Sequence, residues 1–538
     1  MNKQGEKAVL SLKTWIKENI GFFDLLWIFL LGALVRLWLI ITYPGTYGGD
    51  TIFRVTNSDW IFLAYNLPLL QFLIYLTAKL SSLPFAISGL MILIGSVGCC
   101  SIYLLTTKLF DRTVARLAAI LFITNPFILV YSLVPYQEIL MISLLFLAVY
   151  FFMREEKRYD MYLASFFIGM ACLTRYEGWI VGAFLAFISI LRKFDRNDWR
   201  LNFKTAFLAG LLFCWAPILW ILLNGGINPE GTFVLEKGFT LGRLIRIPYV
   251  IAKIIYHSTP AIALTGLIGF IALVFTEKRK DKKLLAVMGY LLLFIITLTI
   301  WGHDFPPDTN LVTEREIHIP ICLFLICAAY GICEIFKWIY NFPGISRAGK
   351  FRGTFLRGIV TATMLLFIVS IPLKKAYNEV SARSSDPGLR VSYSTAQFID
   401  KTMKKNEKAL ILAKEYPKPL IESSLQRRFG EDNLNAESNA RKIVDLFALP
   451  PDYQRLVVES KYGKNELITP YFFRNLNEAE TAELLKKKRF NYLVVFSDFT
   501  PEYPSEEFIL KPFEGKKEFL TQIGDDVKYA SIYRVSTP

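Results

Sequence analysis

Ionisable side chains set inside apolar sequence are the groups of this chain best placed to do chemistry. Arg36 stands in LVRLWLII, Glu138 in VPYQEILMIS, Arg175 and Glu177 in LTRYEGWIV, and His318 opens HIPICLFLIC. An ionisable group inside or at the rim of a bilayer costs several kcal/mol, by order of magnitude, unless it is paired or solvated. Nearby loops add Asp50, Arg54 and Asp59, then Arg243, then His303 and Arg315. Singly, each has an ordinary explanation: Arg36 snorkels, and the others are charges at the ends of loops. For Arg175 the ordinary role is pairing with Glu177 or Glu138. Asp50 and Asp59 each have the option of capping a short helix. Together they describe a polar cavity open at one membrane face, where carboxylates can move protons and guanidinium groups can hold anions bidentately.

The elements that position these groups are read from hydropathy. The chain has 538 residues, 53% hydrophobic, 15% aromatic and 20% charged, with a mean hydropathy of +0.38. Up to about residue 373, apolar stretches of spanning length recur between short charged loops. About eleven spans are expected, near 22–43, 84–107, 114–133, 138–153, 160–174, 178–192, 203–223, 248–275, 284–301, 317–337 and 356–373. The first is too long for a signal-peptide core and lacks a small-residue cleavage site, so it is read as retained. The apolar stretch 60–80 is broken by Asn66, Pro68 and Gln71 and reads as an amphipathic element in the interface.

Lys and Arg alternate between loops. One side holds Lys3 to Lys17, Lys108 to Arg116, Arg154 to Arg158, Arg192 to Arg200, Lys278 to Lys283 and Arg347 to Arg352. The positive-inside rule makes that side cytoplasmic. The N-terminus is then cytoplasmic, the protein multi-pass in the cytoplasmic (inner) membrane, and the C-terminal region extracytoplasmic. The polar residues above, Arg36 included, fall at or within about two turns of the outer face.

Three domains are expected: a membrane region 1–373, a linker 374–390 containing SARSSDPG, and an α/β domain 391–538. Strand-like runs at 409–413, 491–496 and 529–535 alternate with helical stretches such as 477–489. This last region has no glycine-rich phosphate loop.

The net charge of +15 does not point to nucleic acid, because much of the Lys and Arg sits in loops between spans. The seven cysteines all lie in apolar segments. Their spacing suits neither a zinc site nor a disulfide framework.

Four stretches carry a family resemblance: GGDTIFRV at 48–55, NLPLLQFLIYL at 66–76, the run 110–152 from FDRTVARL to LAVYFF, and LTRYEGWIV at 173–181. In order and topology they resemble the GT-C superfamily of polytopic glycosyltransferases, in its family 39, dolichyl-phosphate-mannose protein mannosyltransferase-like branch. The resemblance covers residues 22–200 well and 200–373 as a hydropathy pattern. It implies transfer of a sugar from a polyprenyl-phosphate carrier, outside the cytoplasmic membrane, to a protein, lipid or glycan acceptor. It also implies that Asp50 is the catalytic carboxylate of the first outer loop. Many relatives have an acidic pair there, and here the second member is Thr51. No divalent ion is therefore expected to be required, although the pattern does not exclude one. Arg54, Asp59, Glu138, Arg175, Glu177, Arg243, His303 and Arg315 are the expected substrate contacts. Such a reaction needs a base for the acceptor hydroxyl, cations for the departing phosphate, and exclusion of water.

A lipid or glycan flippase is the rival reading. It would favour paired broken helices near the midplane and a pseudo-repeat, and the sequence displays neither. Topology is directly testable. Single cysteines introduced as Ser346→Cys and Ser384→Cys in a cysteine-free background should label oppositely with an impermeant thiol reagent on intact cells. Labelling of the first alone would invert the arrangement and take the outward cavity with it.

Overall fold

The computed structural model describes residues 3–42, 67–80, 86–154, 156, 158–193, 199–224, 247–275, 317–341, 350–384, 409–412, 492–496, 519–524 and 529–534. Thirteen helices and four strands lie among them. The chain divides into two compact units. The first comprises Met1–Trp38, Tyr65–Leu69 and Met91–Glu379, and the second Leu39–Ala64, Leu70–Leu90 and Val380–Pro538.

The helices are α1 (Lys3–Thr42), α2 (Pro68–Leu80), α3 (Ala86–Leu109), α4 (Arg112–Thr124), α5 (Pro126–Tyr131), α6 (Gln137–Arg154) and α7 (Arg158–Cys172). They continue with α8 (Glu177–Lys193), α9 (Trp199–Asn224), α10 (Ile247–Ser258), α11 (Pro260–Phe275), α12 (His318–Asn341) and α13 (Lys350–Ser384). Among the described residues four segments, Gly21–Thr42, Ala86–Leu109, Gln137–Arg154 and His318–Tyr340, are long and apolar enough to cross a membrane. Four shorter apolar segments accompany them among the described residues: Pro68–Thr77, Glu177–Ile190, Gly210–Leu222 and Pro260–Phe275. The expected span 284–301 lies outside the described residues.

Two expected spans are each two helices. The stretch 114–133 breaks at Asn125, which ends α4 through its backbone N–H to Leu121 O and starts α5 by accepting from Ile128 N at 3.1 Å. Pro126 follows at the first helical position, where its missing N–H costs nothing. The stretch 248–275 breaks at Thr259, a β-branched residue at φ 70°, with Pro260 opening α11. A hydropathy window averages over both breaks, whereas the backbone responds to single residues. The end expected at 373 also differs: α13 runs as one helix to Ser384, into the segment read as a linker.

In the first unit the helices return on one another, so their termini collect at two ends. At one end Asp24, almost fully buried, accepts from Tyr103 Oη at 2.8 Å, Arg116 Nε at 2.9 Å and Trp27 Nε1 at 3.2 Å. Arg154 grips Asp160 through Nε and Nη2, and Lys108 Nζ meets Glu156 at 2.5 Å. That contact holds the exposed Glu156 carboxyl below its usual range. Lys108, Arg116 and Arg154, which the charge pattern assigns to one side, thus share one end of the bundle. The other end carries the polar groups described below.

Glycine decides how closely α11 and α12 approach. A Cβ at Gly269 would stand 1.9 Å from Cys327 O, and one at Gly331 would stand 2.1 Å from Thr265 O. Helices in lipid gain little from hydrophobic burial and rely on such small-residue contact.

In the second unit the strands β1 (Ala409–Leu412), β2 (Tyr492–Phe496), β3 (Phe519–Gly524) and β4 (Tyr529–Arg534) form one sheet of order β1-β2-β4-β3. The first pair is parallel and the other two are antiparallel. A parallel pair requires a crossover connection, and the 79 residues from 413 to 491 provide ample length for one. The helix expected at 477–489 lies outside the described residues.

Gly269→Ala should lower the thermal transition of the purified protein, by about 1–3 kcal/mol of stability as overpacked cores do. Gly358→Ala, where a Cβ meets nothing within 4 Å, should leave the transition in place or raise it. Equal transitions for the two variants would contradict the close α11–α12 contact.

Candidate active site

The site is built where α7 turns into α8. Thr174 N and Arg175 N both bond Ala171 O, at 3.0 and 3.2 Å, and Gly178 N bonds Arg175 O at 3.1 Å. Gly178 is needed because a Cβ there would lie 2.8 Å from Ala171 O. Trp179 Nε1 closes the turn on Cys172 O at 2.9 Å. The start of α2 is clipped to the same place: Leu69 N bonds Leu173 O at 3.0 Å, and Gln137 Nε2 bonds Leu67 O at 3.3 Å. The second and fourth motif stretches of the sequence therefore meet.

The turn presents Arg175 to two carboxylates. Its Nε and Nη2 bond Glu177 at 2.9 and 2.6 Å, and its Nη1 bonds Glu138 Oε1 at 2.5 Å. The Glu138 side chain is 2% exposed, against 17% for Glu177 and 20% for Arg175. A carboxylate that deep is tolerable because a fixed guanidinium faces it. The second Glu138 oxygen, Oε2, is buried with no hydrogen-bond partner among the described residues. Arg175 thus pairs with both carboxylates at once, and a phosphate reaching the groups that make these bonds would have to displace a carboxylate.

An aromatic cluster belongs to the same unit. The rings of Phe127 and Tyr131, on α5, lie 4.4 and 4.8 Å from His318, which opens α12. Phe127 also lies 4.8 Å from His257, at the end of α10, and Tyr131 lies 5.1 Å from Tyr136. His318 is within electrostatic reach of Glu177. His257 escaped the sequence reading because it sits inside an expected span. The signal that could have found it is the Ser-Thr-Pro that follows, which ends a helix one residue after it.

The family model of dolichyl-phosphate-mannose-protein mannosyltransferases matches residues 66–221, a stretch that includes Glu138, Arg175 and Glu177. No curated protein matches the chain. Among solved structures, ArnT from Cupriavidus metallidurans bound to undecaprenyl phosphate aligns with TM-score 0.51 at 11% identity, over 94% of this chain and 98% of that one. Apo ArnT from the same organism aligns with TM-score 0.50 at 11% identity, over 94% and 97%. The oligosaccharyltransferase AglB from Archaeoglobus fulgidus, in complex with an inhibitory peptide and a dolichol-phosphate, gives 0.49 at 14% identity, over 89% and 70%. The fold is that of the GT-C glycosyltransferases.

Within this GT-C fold the expected site residues divide in two. Glu138, Arg175 and Glu177 are brought into direct contact. Asp50, Arg54, Asp59, Arg243, His303 and Arg315 lie outside the described residues. Arg36 does not snorkel. Its head is fully buried and turns into the bundle.

Arg175→Met should strand two carboxylates and cost about 3 kcal/mol, the lower end for breaking a buried pair, since Arg175 and Glu177 keep some solvent contact. Adding Glu138→Gln and Glu177→Gln to that variant should return part of the loss, read as the thermal transition of the purified protein. A triple variant no more stable than Arg175→Met alone would show that the ionic contacts do not set this stability.

Proposed function

We propose that the chain is a membrane glycosyltransferase that moves a sugar from a polyprenyl-phosphate carrier to an acceptor at the outer face of the cytoplasmic membrane. The observation that carries this reading is the Glu138–Arg175–Glu177 ionic centre, inside the stretch matched by the mannosyltransferase family model. The ArnT structure of the same fold, bound to undecaprenyl phosphate, supports a prenyl-phosphate donor. The acceptor is a protein, lipid or glycan hydroxyl.

In this reading Asp50 takes the proton from the acceptor hydroxyl. The hydroxyl oxygen bonds to the anomeric carbon as the carbon–oxygen bond to phosphate breaks. The phosphate departs on its prenyl chain, so no soluble nucleotide site is needed. Arg54, Asp59, Arg243, His303 and Arg315 contact donor or acceptor from the loops. Arg175 keeps Glu138 oriented at the rim of the cavity. The apolar helices accept the prenyl chain, and residues 391–538 form an extracytoplasmic α/β domain. No divalent ion is required.

Asparagine at position 50 separates the two roles open to this residue. A helix cap lost there costs about 0.5–2 kcal/mol of stability, and Asn caps nearly as well as Asp. A lost general base costs about 10²–10⁴-fold in rate. Asp50→Asn should purify normally, bind the donor and transfer almost no sugar, measured by mass spectrometry of glycoconjugate formed from a panel of prenyl-phosphate sugars in detergent. Turnover within a few-fold of wild type, with Asp59→Asn inactive, would assign the base to Asp59 instead. Wild-type protein that consumes none of the donors would sink the reading as a whole.

A further inference from the structure

Arg36 is a buried cation that the ionic centre does not use. It stands on α1 and is fully buried. Its Nε donates to Ser132 Oγ at 2.8 Å, and its Nη1 donates to Gly32 O at 3.0 Å and Cys99 Sγ at 3.5 Å. Nη2 has no hydrogen-bond partner among the described residues, and no carboxylate among them forms an ion pair with Arg36. Neutral partners compensate a buried guanidinium only in part, so holding it in place is expensive. The surroundings are nevertheless shaped for it. A Cβ at Gly95 would stand 2.2 Å from Arg36 Nε and 2.9 Å from Cδ and Cζ. Helix α3 clears the side chain only because residue 95 lacks one.

The shortest of these bonds, Arg36 Nε to Ser132 Oγ, lands on a structural joint. Ser132 caps α5: its N–H bonds Ile128 O at 3.0 Å, and its hydroxyl donates to Leu129 O at 2.8 Å while accepting from Arg36. A hydroxyl can donate and accept at once, and here it does both. Helix α5 is six residues long, too short to hold its own place. It carries Phe127 and Tyr131, whose rings seat His318.

We propose that Arg36 is a positioning residue: by holding Ser132 it fixes α5, and α5 carries the aromatic seat of His318 in the polar end of the bundle. Its consequence for turnover rests on the transferase reading above, but the placement of His318 does not. Arg36 never meets the reacting atoms in this scheme. It acts through the joint that it clamps.

The chain has three histidines, so histidine-selective isotope labelling yields few ring signals, and His318→Gln assigns the one that matters. Three variants disturb the clamp differently. Arg36→Lys keeps the charge and loses the fork. Ser132→Ala removes the acceptor and leaves Arg36 in place. Gly95→Ala puts a methyl group where the guanidinium lies. Each should move the His318 ring signal in detergent-purified full-length protein. Each should also lower sugar transfer about ten-fold or more, since displacement of a site by about 1 Å can cost 10²-fold. Arg36→Lys combined with Ser132→Ala should be no worse than the worse single variant, because one contact can be lost only once. Gly358→Ala is the control and should change neither readout. A His318 signal at the wild-type position in Ser132→Ala, the mildest of the three, would overturn the proposal, as would full additivity in the double variant. If wild-type protein transfers no sugar, the transferase reading fails, and the ring signals still decide the role of Arg36.

Discussion

A single guanidinium shared by two carboxylates governs the architecture of the membrane unit. Glu138 is too deeply buried to be solvated, so its ionised form needs a cation held in place. That cation stands 37 residues further along the chain. For the two to meet, α6 must run away from the site, α7 must return to the same level, and the chain must turn within a few residues into α8. Gly178 makes the turn tight enough, and Glu177, on the far side of it, completes the grip on Arg175. The clip from Leu67 and Leu69 onto Gln137 and Leu173 brings a third stretch of chain to the same level. Helix length, turn geometry and charge placement are therefore one constraint seen from three sides.

The opposite end of the bundle answers to the same logic with different residues. Asp24 is as buried as Glu138, but it is met by a tyrosine, an arginine and a tryptophan from three places in the chain. Arg154 and Asp160 lie only six residues apart, so their contact closes the α6–α7 turn locally. Ionic contacts thus fix both ends of the α6–α7 pair, and small residues fix the spacing of α11 and α12 between them. In a lipid environment, where apolar burial gives little net drive, polar contacts at helix ends and glycine contacts along helices are the two means of setting register.

How much of this is legible in the sequence depends on the range of each interaction. Glu138, Arg175 and Glu177 announce themselves because a charge in an apolar run demands a partner, and two of the three are near neighbours. The strands at 409–412, 492–496 and 529–534 follow from short strand-like runs, whereas β3 at 519–524 lacked a clear enough pattern to be expected. The helix breaks at Asn125–Pro126 and Thr259–Pro260 were written in the residues but hidden by a method that averages hydropathy. The Arg36–Ser132 bond is different in kind. It joins residues 96 apart, and nothing local distinguishes Ser132 from any other polar residue near a helix end. What makes room for it is Gly95, whose meaning appears only when α1 and α3 are side by side.

The same geometry bears on how labour is divided under the proposed reaction. A carboxylate whose oxygens already accept from a guanidinium has fewer lone pairs left for a substrate proton. Glu177 is held through Nε and Nη2 of Arg175, and Glu138 Oε1 accepts from Nη1 of the same residue. A general base needs the opposite environment, with its lone pairs open toward the acceptor hydroxyl. The ionic centre therefore suits orientation and charge balance better than proton removal. The base is then better supplied from a loop that can meet substrate without first giving up an arginine. In the proposed reaction that base is Asp50, which follows Gly48 and Gly49 in the sequence. Under that proposal the ionic floor built from helix ends bears the cost of burial, and the proton is taken by a carboxylate from another part of the chain.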